Sequence, residues 1–370
     1  MTDTNYNIAI IGQTGVGKSS LINYLFGENV VETGVGKPVT KNGFNKIRHS
    51  IKNMPVTIYD SWGLEVGKEE QWLNELNDEL NNRNISSSAT EWFHSVFYCI
   101  AASGSRIQDA DIKIIKKFIK EKYKISIILT KSDAISEEDE QKLRAAIHSE
   151  LEQDISVIAV CSESKKIRGG EIHAFGRELV EIQSILDLVD SLILRIPLHC
   201  QDIMNSILIN WCENQVIKIK EQIGFLNSKE LQDQLASDSK DILSQISHAG
   251  SVAEQKALEC YSFIAEKLQN KLIVGHNTNT SFTINKADKS DTEWEWKFLF
   301  FIPFAPILLP FFIIDLFKTR DQDLNEIYSL ISEFKENTLY QIEKRNDELK
   351  KSLNYIKDTV KNSLHNDDLT

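Results

Sequence analysis

Residues 7–20 leave few folds open. Asn7-Ile-Ala-Ile-Ile11 has the length and apolarity of a buried strand, and it runs directly into Gly12-Gln13-Thr14-Gly15-Val16-Gly17-Lys18-Ser19-Ser20. Leu21-Ile-Asn then begins an amphipathic helix. A strand, a GxxxxGKS loop and a helix in that order make a phosphate cradle. Its glycines let successive backbone N–H groups turn inward, and the helix start adds the positive end of its dipole. On this reading Gly12 to Ser20 surround the phosphates of a nucleotide, Lys18 reaches the terminal ones, and the Ser19 hydroxyl ligates Mg2+. The loop alone does not separate adenine from guanine nucleotides.

Further along, strand-sized apolar runs recur at Val56–Tyr59, Ser95–Ile100, Ile125–Leu129 and Ile155–Cys161, with helix-like stretches between them. That rhythm predicts repeated βα units around a mostly parallel sheet. From about Ile182 the pattern changes: apolar residues fall three and four apart, as at Val216, Ile219, Ile223 and Leu226, and Pro197 is the one proline before Pro303. The last stretch repeats the pattern at Leu349, Leu353, Ile356 and Val360 amid dense charge. The expected organisation is an α/β P-loop nucleotide-binding domain over residues 1–180 and a helical region over 181–274. A polar and then apolar insertion follows over 275–320, and a long helix over 321–370 packs back on the helical region. The net charge of −12 argues against a nucleic-acid binder, which needs a basic face to displace counterions, so no DNA partner is expected. Five cysteines without a CxxC pair read as free thiols, and the polar N-terminus lacks a signal-peptide pattern, so the expected location is the cytoplasm. Eight histidines show no HExxH cluster, so a catalytic zinc site has no support.

The base is addressed by Thr130-Lys131-Ser132-Asp133, directly after the strand Ile125–Leu129. A carboxylate at Asp133 accepts two parallel hydrogen bonds from guanine N1–H and the exocyclic amine; adenine offers no such pair on that edge. Lys131 would pack its aliphatic stem along the base plane, and Thr130 stands where Asn is the commoner residue. Between the two motifs, Asp60-Ser-Trp-Gly63 closes another strand. Asp60 suits Mg2+ held through a water, and the Gly63 backbone N–H suits the γ-phosphate, an arrangement that orders a switch loop in the triphosphate state. Upstream, Thr40 in Gly34-Val-Gly-Lys-Pro-Val-Thr40 is the expected second Mg2+-ligating hydroxyl, with Thr33 the alternative. After the strand Ile155–Cys161, Ser162 in Cys161-Ser-Glu163 is the expected backbone contact to the base.

With these elements in order, residues 5–165 resemble the translation-factor-related GTPases, and more nearly their dynamin-like, septin-like and immunity-associated groups. The wording Gly-Lys-Pro-Val-Thr40, the strand Phe97–Ile100 and Leu129–Asp133 are similar to relatives known as 50S ribosome-binding GTPases. The resemblance implies a G domain that hydrolyses GTP to GDP and phosphate with Mg2+, with Lys18, Thr40 and Gly63 serving the chemistry. Ras-like enzymes place a water-orienting glutamine directly after the DxxG glycine; here that position is Leu64, which cannot hydrogen-bond water. The replacement is expected from Gln13, Thr14, Glu65, Lys37 or a second molecule, and nucleotide-dependent homodimerisation is the expectation. Gly15 stands where potassium-dependent relatives carry Asn, which argues against bound K+. Arg106 and His94 flank the strand Ser95–Ile100; the expectation for both is structural.

Phe298–Ile314 carries neither charge nor amide. As a straight helix it would fall short of the ~30 Å hydrocarbon thickness of a bilayer, and Pro303, Pro306 and Pro310 argue against a plain span. A kinked insertion segment fits better, with Trp294 and Trp296 at its headgroup boundary and Lys297, Lys318 and Arg320 as flanks. The sequence therefore carries two functional expectations. One is a dynamin-like GTPase that couples nucleotide state to helical-domain movement at a membrane, with peripheral membrane residence. The other is a soluble regulatory switch that recruits a protein or ribonucleoprotein partner.

Overall fold

The computed structural model describes residues 6–31, 44–51, 54–63, 69–104, 106–167, 170–222, 228–275 and 324–366. The chain divides into two units, one made of Met1–Leu192 with Val360–Thr370 and the other of Ile193–Thr359.

The first unit is built on strands β1 (Tyr6–Gly12), β2 (Phe44–Ile51), β3 (Met54–Ser61), β4 (Ser95–Ala101), β5 (Ile125–Thr130) and β6 (Val157–Ala159). They form one sheet in the order β2-β3-β1-β4-β5-β6, parallel throughout except for the antiparallel edge strand β2. Every residue of β1 and β5 is buried, which is why both read as unbroken apolar runs: a parallel strand covered on both faces has no solvent side to mark with polar residues. β2 is the opposite case. Lys46, Arg48, His49 and Ser50 make it polar, as suits an edge that must not recruit another strand, and no apolar run announces it in the sequence.

Helices α1 (Lys18–Phe26), α2 (Glu69–Asn82), α3 (Asp109–Lys120) and α4 (Glu137–Leu151) supply the crossovers. Trp72, Leu76 and Leu80 of α2, Ile114, Ile115 and Phe118 of α3, and Leu143, Ile147 and Leu151 of α4 share one core with Tyr98, Ile100 and Leu129 of the sheet. The starts of two helices are fixed locally. Gln108 and Asp111 form a reciprocal capping box at α3, and the Ser136 hydroxyl accepts from the Asp139 amide at α4.

The second unit is helical. It holds the latter part of α5 (Arg177–Gln222), α6 (Ser228–Gly275) and most of α7 (Leu324–Asn366). Buried residues recur at helical spacing in α5 (Ile196, Cys200, Met204, Leu208, Cys212, Ile219) and in α7 (Ile327, Ile331, Phe334, Ile342, Leu349, Leu353). Trp211 of α5 packs on Phe334 of α7 with ring centroids 5.1 Å apart, Gln215 of α5 donates to Asp238 of α6 at 2.9 Å, and Arg345 of α7 pairs with Glu254 of α6 at 3.0 Å. These described positions are buried within the chain itself; Ile223 and Leu226 and the side chains of Ile356 and Val360 lie outside what the structure describes. α5 continues through Pro197, which has no amide to offer the carbonyl of Ile193, the residue at which the second unit begins. Among the described residues no helix is long and apolar enough to cross a membrane, and the segment Phe298–Ile314 lies outside them.

Within the first unit, the start of α5 is fastened to the amino ends of the central strands. The Tyr6 hydroxyl donates to the Ser184 carbonyl, and Lys124 pairs with Asp190 at 3.1 Å. Asp187, fully buried, accepts from the hydroxyls of Ser95 at 3.0 Å and Ser126 at 2.7 Å and from the Gln183 amide at 2.7 Å. Burial outweighs these bonds and pushes the Asp187 carboxyl up from 3.8 to about 6. The folded chain therefore holds this proton more tightly than the unfolded chain does. The resulting stabilisation is complete below about pH 4 and is lost as pH rises through about 6. We predict that the unfolding free energy of the wild type falls by a few kcal/mol across that window relative to Asp187→Asn. Urea unfolding at pH 5 and pH 8 checks this; parallel pH profiles for the two proteins would contradict it.

Candidate nucleotide-binding site

Strand register brings the sequence motifs to one edge. β1 ends at Gly12, and its parallel neighbours align Ile10 with Asp60 of β3 and Gly12 with Cys99 of β4. β4 in turn aligns Ala101 with Thr130 of β5, and β5 aligns Leu129 with Ala159 of β6. The segments starting at Gly12, Asp60, Thr130 and Cys161 therefore all leave the carboxyl edge, where open α/β sheets bind ligands.

The loop after β1 needs its glycines. Gly12, Gly15 and Gly17 have φ of 152°, 78° and 99°, and a Cβ on Gly12 would stand 2.5 Å from the Cys99 carbonyl oxygen. Lys18 is buried beneath the loop, and its Nζ donates to the carbonyls of Gly12 and Gln13, each at 3.0 Å. Burial lowers its pKa against the opposing field of Asp60. The loop is strapped from β5: the Thr130 hydroxyl donates to the Val16 carbonyl and, at 3.3 Å, to that of Ile100. Lys131, in the left-handed conformation with φ 54°, extends its ammonium to the Gly15 carbonyl at 2.7 Å. Ser19 and Ser20 lie half-buried in the first turn of α1.

Asp133 follows in a short 3-10 turn, its side chain only 7% exposed. Burial alone would raise its pKa, but the hydrogen bond from the Lys165 ammonium, with the Cys161 thiol nearby, outweighs that and holds the carboxyl below its ordinary value. Lys165 Nζ lies 2.8 Å from Asp133 Oδ2. Ser162 leaves the sheet just past β6 and is half-buried, close in sequence to Cys161, whose thiol donates to the Glu163 carbonyl at 3.1 Å. Lys165 has no motif to flag it in the sequence. Lys165 opens a three-residue strand, and the residue it serves lies 32 positions away.

Asp60 and Ser61 end β3 in full burial, and Trp62 is anchored by Glu75 of α2 and by Trp72, whose indole N–H donates to the Trp62 carbonyl at 2.8 Å. This holds Gly63 against the phosphate loop: a Cβ there would stand 2.3 Å from Thr14 Oγ1 and 2.6 Å from the Thr14 amide nitrogen. Gln13 points elsewhere. Its amide donates to Gln108 and Asp111 at 3.0 Å each, and the Tyr98 hydroxyl holds Asp111 at 2.7 Å. Arg106 is exposed, while His94 is buried and accepts the Asn7 amide at 3.1 Å, a brace between β1 and β4. Thr33, Lys37, Thr40, Leu64 and Glu65 lie outside the described residues. Val31, the last described residue before that first gap, is held by Asn23 through bonds of 2.8 and 2.9 Å. From the Thr14 contact we predict that Gly63→Ala lowers stability by about 1–3 kcal/mol in urea unfolding. Unchanged stability would show that the turn yields freely.

Residues 7–131 match the family model described as 50S ribosome-binding GTPase. Mouse (Mus musculus) Septin-14 is 27% identical over 165 residues, covering 40% of this chain and 38% of that protein. Septin-8-A of Danio rerio is 30% identical over 166 residues, covering 40% and 39%. The chain thus spans about two fifths of the length of these relatives. Among solved structures, Toc33 from Arabidopsis thaliana in complex with Mg2+ and GMPPNP aligns with 50% of this chain and 85% of its own at a TM-score of 0.37 and 18% identity. A septin GTPase domain from Chlamydomonas reinhardtii aligns with 49% and 90% at a TM-score of 0.36 and 12% identity. The phosphate loop, the Asp60–Gly63 turn and the Thr130–Asp133 turn meet at one edge of a parallel sheet, and the family match covers those same segments up to Lys131: the first unit of this chain has the fold of a P-loop GTPase G domain.

Proposed function

We propose that this protein binds GTP and GDP through its first unit and, with Mg2+, hydrolyses GTP to GDP and phosphate. The carrying observation is the pairing of an anionic, nearly buried Asp133 with a glycine-lined loop over Lys18 at the same sheet edge. Asp133 accepts from guanine N1–H and the exocyclic amine, and the aliphatic stem of Lys131 lies along the base. Ser162 contributes a backbone contact. The N–H groups of Gly12 to Ser20 wrap the phosphates, and Lys18 exchanges its carbonyl partners for phosphate oxygens. The donor set suits Mg2+, a hard cation that takes oxygen ligands: the Ser19 hydroxyl, the Thr40 hydroxyl and the fully buried Asp60 carboxylate beside β1. When bound, the ion neutralises charge on the β- and γ-phosphates.

Orienting the attacking water falls to a group other than residue 64, because leucine offers no hydrogen bond. Of the two phosphate-loop candidates, Gln13 has its amide engaged by α3, whereas Thr14 is exposed and lies against Gly63, whose N–H is the γ-phosphate sensor. Thr14 is therefore our choice in cis, completed by a second G domain in a nucleotide-dependent homodimer. We extend the reading to a cytoplasmic, peripherally membrane-associated, dynamin-like cycle in which nucleotide state moves the helical unit. Its support is the uncharged, proline-interrupted run Phe298–Ile314 between two long helical stretches.

GTP turnover measured against protein concentration, with and without liposomes, tests both levels. Phosphate release is expected in the wild type and its loss, with loss of nucleotide binding, in Lys18→Ala; nucleotide binding retained in that variant would unseat the phosphate-loop assignment. Turnover that rises with concentration and with lipid supports the dimer and the membrane. Slow turnover indifferent to both points instead to a switch that recruits a protein or ribonucleoprotein partner. Asp133→Asn replaces an acceptor with an amide that donates to xanthine O2. It is expected to weaken GDP binding by on the order of 100-fold while improving xanthosine diphosphate binding, read by fluorescent-nucleotide titration.

A further inference from the structure

Beyond β6 the chain makes a small closed excursion. Cys161 and Phe175 exchange backbone hydrogen bonds at 3.1 and 3.0 Å, and the Ser164 hydroxyl accepts the Ala174 amide at 3.0 Å. Between them β7 (Lys165–Ile167) pairs antiparallel with β8 (Gly170–Ile172), with Lys165 opposite Ile172. The excursion closes on Gly176, whose φ of 90° and approach to the Ala159 carbonyl, 2.4 Å from where a Cβ would stand, tie its end to the sheet. Lys165 is therefore held in place by backbone pairing, and its ammonium reaches Asp133 Oδ2 at 2.8 Å.

Ion pairs between two exposed side chains contribute little. This pair is asymmetric: Lys165 is 49% exposed, whereas Asp133 is 7% exposed. A carboxylate so far removed from water drifts toward its neutral form unless a cation or donor compensates. The form matters for the base. A carboxylate presents about four acceptor directions, so one bond from Lys165 on Oδ2 leaves a direction on each oxygen for two parallel guanine donors. A protonated carboxyl would turn an O–H toward guanine N1–H and lose the match. The other groups facing Asp133 are the Cys161 thiol, whose proton goes to the Glu163 carbonyl, and Glu163, which acts on Lys165; the Lys131 ammonium is engaged by Gly15.

We infer that Lys165, carried on the β7–β8 hairpin, is a positioning residue for guanine recognition: it holds Asp133 as an oriented anion with both oxygens presented to the base. The inference rests on the proposed guanine reading and assigns a role in it to a segment outside the motifs. Removing the ammonium is expected to cost affinity where the exocyclic amine is read and to make binding fail at less acidic pH. The direction follows because a carboxylate's binding is present above its pKa and lost as pH falls through it.

The test is nucleotide titration of the full chain, in wild type, Lys165→Met and Lys165→Arg, with GDP, ADP and inosine diphosphate, which lacks the exocyclic amine, between pH 5 and pH 8. Lys165→Met is expected to bind GDP about tenfold more weakly, to lose less for inosine diphosphate, and to shift the acid limb of GDP binding to higher pH, while Lys165→Arg restores all three. Equal GDP affinity and the same pH profile in Lys165→Met would overturn the inference. Tighter GDP binding in that variant would also overturn it, by showing that Lys165 competes with the base. If the wild type holds ADP as tightly as GDP, the guanine reading itself fails and this role falls with it; a wild type that prefers GDP isolates the outcome to Lys165.

Discussion

The site depends on the parallel pairing of β1 between β3 and β4. Because these strands run the same way and in fixed register, the loops that follow them emerge at one edge, and each carries a different chemical group there: the phosphate loop from β1, Asp60 and Gly63 from β3, Thr130 to Asp133 beyond β5. The register also accounts for the glycines. Gly12 faces the Cys99 carbonyl of the neighbouring strand at a distance no side chain tolerates, and Gly63 faces Thr14 in the same way. The backbone approaches so closely that glycine is required before any ligand is considered.

Around that edge several polar side chains are engaged. Thr130 and Lys131 both bond carbonyls of the phosphate loop, so the turn that carries the Asp133 carboxylate also fixes the shape of the loop. Asp111 joins α3 to the loop through Gln13 and to the sheet through Tyr98. On the opposite side of the sheet, Asp187 ties α5 to the starts of β4 and β5 through two serine hydroxyls. α5 is thereby anchored in the first unit before it continues into the second.

Much of this was legible in the sequence, for physical reasons. Strands buried on both faces must be apolar throughout, so β1, β3, β4, β5 and the vicinity of β6 stood out, and a phosphate cradle has a fixed spacing of glycine, lysine and serine. What escaped notice lacks such a signature. β2 is an edge strand whose Lys46, Arg48 and His49 conceal it, and β7 and β8 have three residues each. The links from Lys165 to Asp133 and from Gln13 to Asp111 join residues 32 and 98 positions apart, and only the folded sheet brings them together. Pro197 interrupts the pattern in the sequence, yet α5 runs through it, with buried residues on both sides of the missing bond at Leu192, Ile193, Ile196 and Cys200.

The account stands on guanine being read at Asp133 while the phosphates lie in the loop over Lys18. Calorimetric titration of the intact chain with GDP and with ADP, each in the presence of Mg2+, measures that directly. The account predicts binding of GDP at least ~100-fold tighter than ADP, the difference lying in the bonds to the base. Equal affinity for the two, with the phosphates bound in both, would contradict it.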